Sequence, residues 1–147
     1  MRFSQFTLIA ALSVACASLA LAEQQKLPPG YTLKPELTHQ NVAQDPDGIW
    51  DQADLAPVGN PRRNPDIYTA RISTPAGEWM LSQVTSGCSM QSECPFQLVL
   101  KRADGSKVTV ADGTLLQGGT AVLATDYSKI FAQTYSGVET NPVKVSR

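Results

Sequence analysis

The chain has 147 residues, and its 12 Lys and Arg nearly balance its 13 Asp and Glu, which leaves a formal net charge of −1. This balance gives no electrostatic reason to expect a nucleic acid or an anionic membrane surface as a partner. The length is that of one ordinary domain, which can bury a single hydrophobic core.

Residues 1–22 have the pattern of a secretory signal peptide. Arg2 is the only charged residue before Glu23, and the run from Phe6 to Ala22 is apolar or small and ends in the small-x-small motif ALA. We therefore expect cleavage after Ala22 and a periplasmic or secreted protein. No later stretch of the sequence supplies the roughly 20 apolar residues that a membrane-spanning helix needs.

A lipid anchor at Cys16 is an alternative to this cleavage and would attach the chain to a membrane. A lipobox usually has Leu three positions before its cysteine, whereas Leu12 lies one position too early. The signal peptide is therefore the preferred interpretation, and its removal leaves two cysteines, Cys88 and Cys94.

Residues 23–66 are predicted to form a proline-rich, irregular arm. Eight of the ten prolines lie between positions 24 and 75. Because proline lacks a backbone donor and has a fixed φ, long helices and central strands are not expected there. The stretch 51–55 is expected to form one or two helical turns that carry Ile49 and Trp50 to the core.

Residues 67–147 are predicted to form an antiparallel β domain. Stretches rich in β-branched and aromatic residues alternate with glycine-containing turns, as in a meander of short strands. Asp104 with Gly105 and Asp112 with Gly113 are typical of tight hairpin turns. The predicted strands are 67–72, 78–85, 96–101, 107–111, 114–116 and 120–124.

The predicted fold class is therefore mainly β or α+β: a meander sheet of about five to six short strands, one disulfide-stapled hairpin and at most one or two short helices. Residues 126–135 stay open between two interpretations. Tyr127, Ile130 and Phe131 have helical spacing with Asp126 as an N-cap, but Ile130 can also begin a closing strand.

Cys88 and Cys94 are predicted to form a structural disulfide that staples the hairpin between the second and third strands. Zinc would need four ligands, and only His39 is left to join the two thiols. A redox site would need two residues between the cysteines at a helix start, whereas five separate them here. We therefore expect no metal and no cofactor.

The sequence offers little basis for catalysis or for calcium binding. His39 is the only histidine, and the chain contains no nucleophile elbow, phosphate-binding glycine loop or metalloprotease motif. The acidic stretch 45–51 surrounds Gly48 with the spacing of a calcium loop but lacks the distal Glu ligand. An ordinary Asp-rich turn is expected instead, and we predict that the protein is not an enzyme.

Loop 88–94, closed by the two cysteines, is the candidate binding site. Binding residues concentrate in loops held by a rigid scaffold, and a disulfide removes part of the entropy cost of ordering such a loop on binding. The alternative is that the staple only secures the end of a hairpin. The candidate binding residues are Ser89, Met90, Gln91, Ser92 and Glu93.

The layout resembles that of the periplasmic inhibitors of vertebrate lysozyme, the Ivy family. The resemblance rests on the strand order, on a strand running into the sequence SGC at Cys88, on Cys94 beginning the next strand, and on the late strand GTAVL. Members of that family carry a closed loop, Cys-Lys-Pro-His-Asp-Cys, that enters the lysozyme cleft. The resemblance implies that Glu93 stands where the family has its loop Asp, while MQS replaces the Lys-Pro-His run.

These features predict a non-enzymatic protein-binding function: inhibition of a hydrolase, with a lysozyme as the first candidate, by loop 88–94 acting as a plug. Glu93 and the hydroxyls of Ser89 and Ser92 would bond to groups of the hydrolase. The alternative is a periplasmic structural or assembly factor that binds another envelope protein through its β domain, at a sheet edge or through the arm. The identity of the target and the oligomeric state stay open.

Overall fold

The computed structural model describes residues 26–145, so the predicted signal peptide and Cys16 lie outside the described residues. Within this range the chain forms nine β-strands and no helix. No helix that could span a membrane is therefore found between residues 26 and 145. The strands are β1 (Tyr31–Leu33), β2 (Glu36–His39), β3 (Ile67–Thr74), β4 (Gly77–Val84), β5 (Glu93–Lys101), β6 (Lys107–Leu116), β7 (Ala121–Leu123), β8 (Lys129–Thr134) and β9 (Gly137–Pro142).

All strand pairs are antiparallel, and they form two sheets. The five-stranded sheet has the order β2-β3-β4-β5-β6, and the four-stranded sheet has the order β1-β7-β8-β9. The predicted antiparallel β fold is confirmed, with more strands than the five to six expected. The additional strands include β1 and β2, which the proline-rich segment supplies, one to each sheet.

The main core lies between the two sheets. Alternate residues of β4 and β5 face it from the five-stranded sheet, as the period of two along a strand requires. Burial of such side chains is the dominant favourable term in folding. Members of this core that are at most 1% exposed are Leu33, Trp79, Leu81, Phe96, Leu98, Leu115, Ala121, Leu123, Ile130 and Ala132.

A second buried cluster comes from the segment predicted as an irregular arm. Trp50 is 8% exposed and lies in one cluster with Leu55 of the arm and with Ile67 and Val84 of β3 and β4. The Trp50 indole Nε1 donates to Ser82 Oγ at 2.8 Å. The expectation that Trp50 reaches the core is therefore confirmed, although irregular chain rather than a helix carries it there.

The stretch 51–55 forms turns rather than a helix. The Leu55 amide donates to Asp51 O at 3.2 Å, as in a single helical turn. The two carboxylates of this stretch cap each other's backbone amides, Asp54 N to Asp51 Oδ1 at 3.0 Å and Asp51 N to Asp54 Oδ2 at 3.2 Å. Each carboxylate accepts an amide that would have no partner inside a helix, a reciprocal arrangement that favours a helical turn. Pro57, two residues after Leu55, disfavours continuation of that turn.

The prediction of a turn at Asp112 and Gly113 is wrong, because β6 runs through both residues. They pair with Gln97 and Phe96 of β5. A Cβ at Gly113 would lie 3.0 Å from both Phe96 Cε1 and Asn141 Nδ2. This glycine therefore allows other side chains to approach the strand closely, which is a second common reason for glycine within a strand.

Residues 126–135 resolve to the strand interpretation, since β8 spans Lys129–Thr134. Asp126 is not a helix N-cap but part of a tight turn: its Oδ1 accepts from Ser128 N at 3.0 Å and from Ser128 Oγ at 2.7 Å. The hydrogen bond from the Ser128 hydroxyl is the main cause that lowers the pKa of Asp126. The turn holds Tyr127 at a φ of 60°.

Tyr127 lies between two other aromatic rings at one margin of the main core. Its ring stacks on Trp79 with the centroids 5.5 Å apart and on Tyr31 with the centroids 5.7 Å apart. A hydrogen bond with the Thr74 hydroxyl is the main cause that lowers the pKa of Tyr127, and the hydrogen bond with Tyr127 raises the pKa of Tyr31. The three rings connect the β1 side of the sandwich to β4.

Candidate functional site

The predicted disulfide between Cys88 and Cys94 is present, with the two Cα atoms 4.0 Å apart. It closes the connection between β4 and β5, two central strands of the five-stranded sheet. Cys94 is fully buried as the second residue of β5, whereas Cys88 is half-buried. The loop is thus anchored to β5 through Cys94, while Cys88 lies four residues beyond the end of β4 and is tied to the sheet by the disulfide.

Hydrogen bonds inside the loop hold its backbone in one shape. Ser89 N donates to Glu93 O at 2.8 Å, and Ser92 N donates to Ser89 O at 3.0 Å. The Ser89 hydroxyl also accepts from Glu93 N at 3.3 Å. Ser92 adopts a left-handed φ of 60°. The covalent staple and these bonds together leave the loop little freedom, so its conformation is set before any partner arrives.

Two neighbouring segments also hold the loop. The backbone amide of Gln117, between β6 and β7, donates to Ser92 O at 2.8 Å. Tyr135, in the turn between β8 and β9, donates its backbone amide to Glu93 Oε1 at 2.5 Å. The loop of one sheet is therefore bonded to the hairpin of the other sheet.

Four of the five predicted binding residues lie at the surface: Ser89, Met90, Gln91 and Ser92. The Met90 side chain is 99% exposed and is the most exposed large apolar residue of the described chain. Glu93 differs, since it is half-buried and one of its carboxylate oxygens is engaged by Tyr135. The structure brings all five together in one loop but gives Glu93 a partner within the chain.

The buried side chain of Gln83 supports the end of the five-stranded sheet that carries the cystine loop. This role was not apparent from the sequence. Gln83 is fully buried on β4, and its Nε2 donates to Leu115 O at 2.7 Å and to Leu116 O at 3.2 Å. Its Oε1 accepts from Gly118 N at 3.0 Å. The amide thereby fixes the end of β6 and the turn that holds the loop. The sequence signal is weak: a Gln in a strand, GEWMLSQV, that also contains Glu78 and Ser82.

The other motifs considered from sequence do not assemble into a site. The acidic stretch 45–51 closes on itself, because the Asp45 carboxylate accepts the amides of Asp47, Ile49 and Trp50 at 2.8–3.0 Å. No group of three or more His, Cys, Asp or Glu that could hold a metal ion occurs in the described part of the chain. His39 lies on β2, at the outer margin of its sheet.

No protein-family model matches the chain, and neither the curated proteins nor the solved structures contain a match to it. The resemblance to the Ivy family therefore stays a hypothesis about layout.

We expect the hydrogen bond between Glu93 and Tyr135 to be detectable by amide hydrogen exchange. In Glu93→Ala the Tyr135 amide loses its carboxylate acceptor, and its exchange should accelerate by about tenfold, as for the loss of one hydrogen bond of about 1–1.5 kcal/mol. Glu93→Gln keeps an oxygen acceptor of the same reach and should stay within about threefold of the wild type. Equal exchange in the wild type and the alanine variant would show that the contact does not persist in solution.

Proposed function

We propose that the protein is a secreted, non-enzymatic binding protein that inhibits a hydrolase, with a lysozyme as the first candidate, through loop 88–94. The observation that carries the proposal is Met90, which is 99% exposed at the tip of a covalently closed loop. A fully exposed methionine contributes nothing to the protein's own core. Methionine is common at binding surfaces because its side chain adapts to irregular apolar pockets.

Preorganisation is the physical reason for assigning binding to this loop. Binding by a flexible loop costs about 0.5–1.5 kcal/mol for each side chain that must be immobilised, in addition to the ordering of the backbone. In loop 88–94 the disulfide and the hydrogen bonds around Ser89 and Ser92 have already met much of the backbone cost. A lower entropy cost on binding gives a higher affinity, which an inhibitor needs when it competes with a substrate.

The mechanism is steric exclusion from a substrate-binding cleft. Met90 would enter a pocket of the cleft, while Ser89, Gln91 and Ser92 offer hydroxyl and amide groups to its polar walls. Glu93 would act mainly by holding the loop against Tyr135, since Oε1 already accepts that residue's amide. No covalent bond is made or broken, so we expect inhibition to be reversible. One loop would fill one cleft, so we also expect it to be stoichiometric.

A second candidate, binding of an envelope protein through a sheet edge, has one observation in its favour. β2 is an outer strand of the five-stranded sheet, and Leu37 on it is 41% exposed. A partner strand could add to such an edge. However, β2 has only four residues and its pairing with β3 is irregular between Leu37 and His39, and short or irregular edge strands discourage strand addition.

The proposal is tested by titrating the purified protein, produced from the full chain, into a cell-wall lysis assay with a vertebrate lysozyme. We expect stoichiometric inhibition by the wild type and at least about tenfold weaker inhibition by Met90→Asp, because a carboxylate would be desolvated in an apolar pocket. Leu37→Asp, a matched change of an exposed apolar residue on β2, should inhibit like the wild type. Absence of inhibition at micromolar wild-type protein, or an equal loss in both variants, would contradict the proposal.

A further inference from the structure

Three chain segments meet at the end of the sandwich that carries the cystine loop. They are the loop itself, the turn after β6 that contains Gln117, and the turn between β8 and β9 that contains Tyr135. The hydrogen bonds from Gln117 N to Ser92 O and from Tyr135 N to Glu93 Oε1 join them. We call this set of residues, 88–93, 117–119 and 134–137, the loop end.

The loop end presents the two most exposed large apolar side chains of the described residues. Met90 is 99% exposed and Tyr135 is 69% exposed, whereas the others, Leu37, Val58 and Val145, lie between 38% and 44%. Tyrosine is among the residues that most often dominate binding energy at protein interfaces. The segments that carry them are bonded to each other, which favours one shared surface over two scattered exposures.

The contact through Glu93 gives this surface a fixed geometry. Met90 belongs to the connection between β4 and β5, and Tyr135 belongs to the hairpin of the other sheet. The Glu93 carboxylate accepts the Tyr135 backbone amide, so a charge-assisted hydrogen bond holds the backbone of the hairpin turn beside the loop.

The polar groups of the loop end are almost entirely uncharged. Apart from Glu93, the sequence of residues 88–93, 117–119 and 134–137 contains no Lys, Arg, His, Asp or Glu. It offers the hydroxyls and side-chain amides of exposed serines and glutamines instead, namely Ser89, Gln91, Ser92, Gln117 and Ser136. Hydroxyl and amide groups beside apolar faces are also what a polysaccharide of N-acetylated sugars presents to the groove that binds it.

We infer that Tyr135 is a second anchor of the binding surface, and that the loop end as a whole fits a groove that binds an uncharged, hydroxyl- and amide-bearing polysaccharide. This inference rests on the proposed function and deepens it. It places the partner among glycan hydrolases by the chemistry of the groove, and it extends the contact from loop 88–94 to the hairpin between β8 and β9. Glu93 is a positioning residue that holds the backbone of the hairpin turn against the loop.

The test compares Tyr135→Ala with Tyr135→Phe in the lysozyme inhibition assay, with Val58→Ala as the matched change of an exposed apolar residue outside the loop end. We expect Tyr135→Ala to weaken inhibition by about tenfold or more, as for an interface residue of high energetic weight. Tyr135→Phe keeps the ring and should stay within about threefold, and Val58→Ala should equal the wild type. Because Tyr135 is exposed and contributes its bond through the backbone, all three variants should unfold at the wild-type temperature.

The outcomes separate the inference from the proposed function. If the wild type inhibits and Met90→Asp does not, but Tyr135→Ala inhibits as well as the wild type, the second anchor is overturned while the loop remains the site. If Tyr135→Ala and Val58→Ala lose inhibition equally, the surface is not localised at the loop end and the inference is again overturned. If the wild type inhibits no glycan hydrolase, the proposed function and the inference both fall.

Discussion

Replacing Trp79 by alanine is expected to lower the free energy of unfolding by about 3–5 kcal/mol, the usual range for a buried Trp or Phe. Trp79 is 1% exposed in the main core. Its ring stacks on Tyr127, and its Nε1 donates to Thr74 Oγ1 at 2.9 Å. The substitution therefore creates a cavity, removes the aromatic contact with Tyr127 and removes one hydrogen bond to the Thr74 hydroxyl.

Urea denaturation followed by circular dichroism measures this effect, with Trp79→Phe as the control. Phenylalanine keeps an aromatic ring in the stack and loses the indole donor, so we expect a loss of about 1–2 kcal/mol. A loss below about 1 kcal/mol in Trp79→Ala would contradict the packing of the two sheets on each other around this side chain.

Removing the staple by Cys88→Ser together with Cys94→Ser is expected to cost about 2–3 kcal/mol in the chain-entropy account of a loop this short. The loss should be modest because the core between the sheets does not depend on the loop, and the variant should remain folded. Inhibition should fall much further, by about tenfold or more, since the loop would then have to be ordered on binding.

The measurement pairs a denaturation curve with the lysis assay, carried out at a temperature where the variant is fully folded. Reduced wild-type protein provides an independent control, because it lacks the same bond without any change of sequence. If the folded double variant inhibits as well as the wild type, the closed shape of the loop is irrelevant to binding. The disulfide would then serve only to secure the hairpin.

Local patterns were sufficient to predict much of the β domain. The β-branched and aromatic runs at β3, β4 and β5 and the turn at Gly105 are short-range signals, and they predicted three adjacent strands and their antiparallel order. The pair of cysteines in a short connection predicted the disulfide. Each of these features depends on residues close together in the chain.

Features that depend on distant residues were not accessible in the same way. Gly113 looks like a turn residue because its role involves Phe96 and Asn141, which a local pattern does not contain. β1 and β2 have three and four residues, too few to produce a periodicity, and they lie among prolines. They exist because β7 and β3 offer them partners.

The candidate site shows the same division. Its loop and five residues follow from the spacing of the two cysteines, whereas Tyr135 and Gln117 join it through contacts across the two sheets. Glu93 and Tyr135 are 42 positions apart in the chain. No composition or period connects them, so their hydrogen bond becomes visible only when both sheets are placed together.

Binding of a hydrolase at the loop end is tested most directly by a footprint by nuclear magnetic resonance. Isotope-labelled protein would be titrated with an unlabelled vertebrate lysozyme while the backbone amides are followed one by one. We expect the largest changes on residues 88–93 and on Tyr135 and Ser136, with saturation at one equivalent. Changes centred on β2 or on residues 40–66, or no change at any amide, would contradict it.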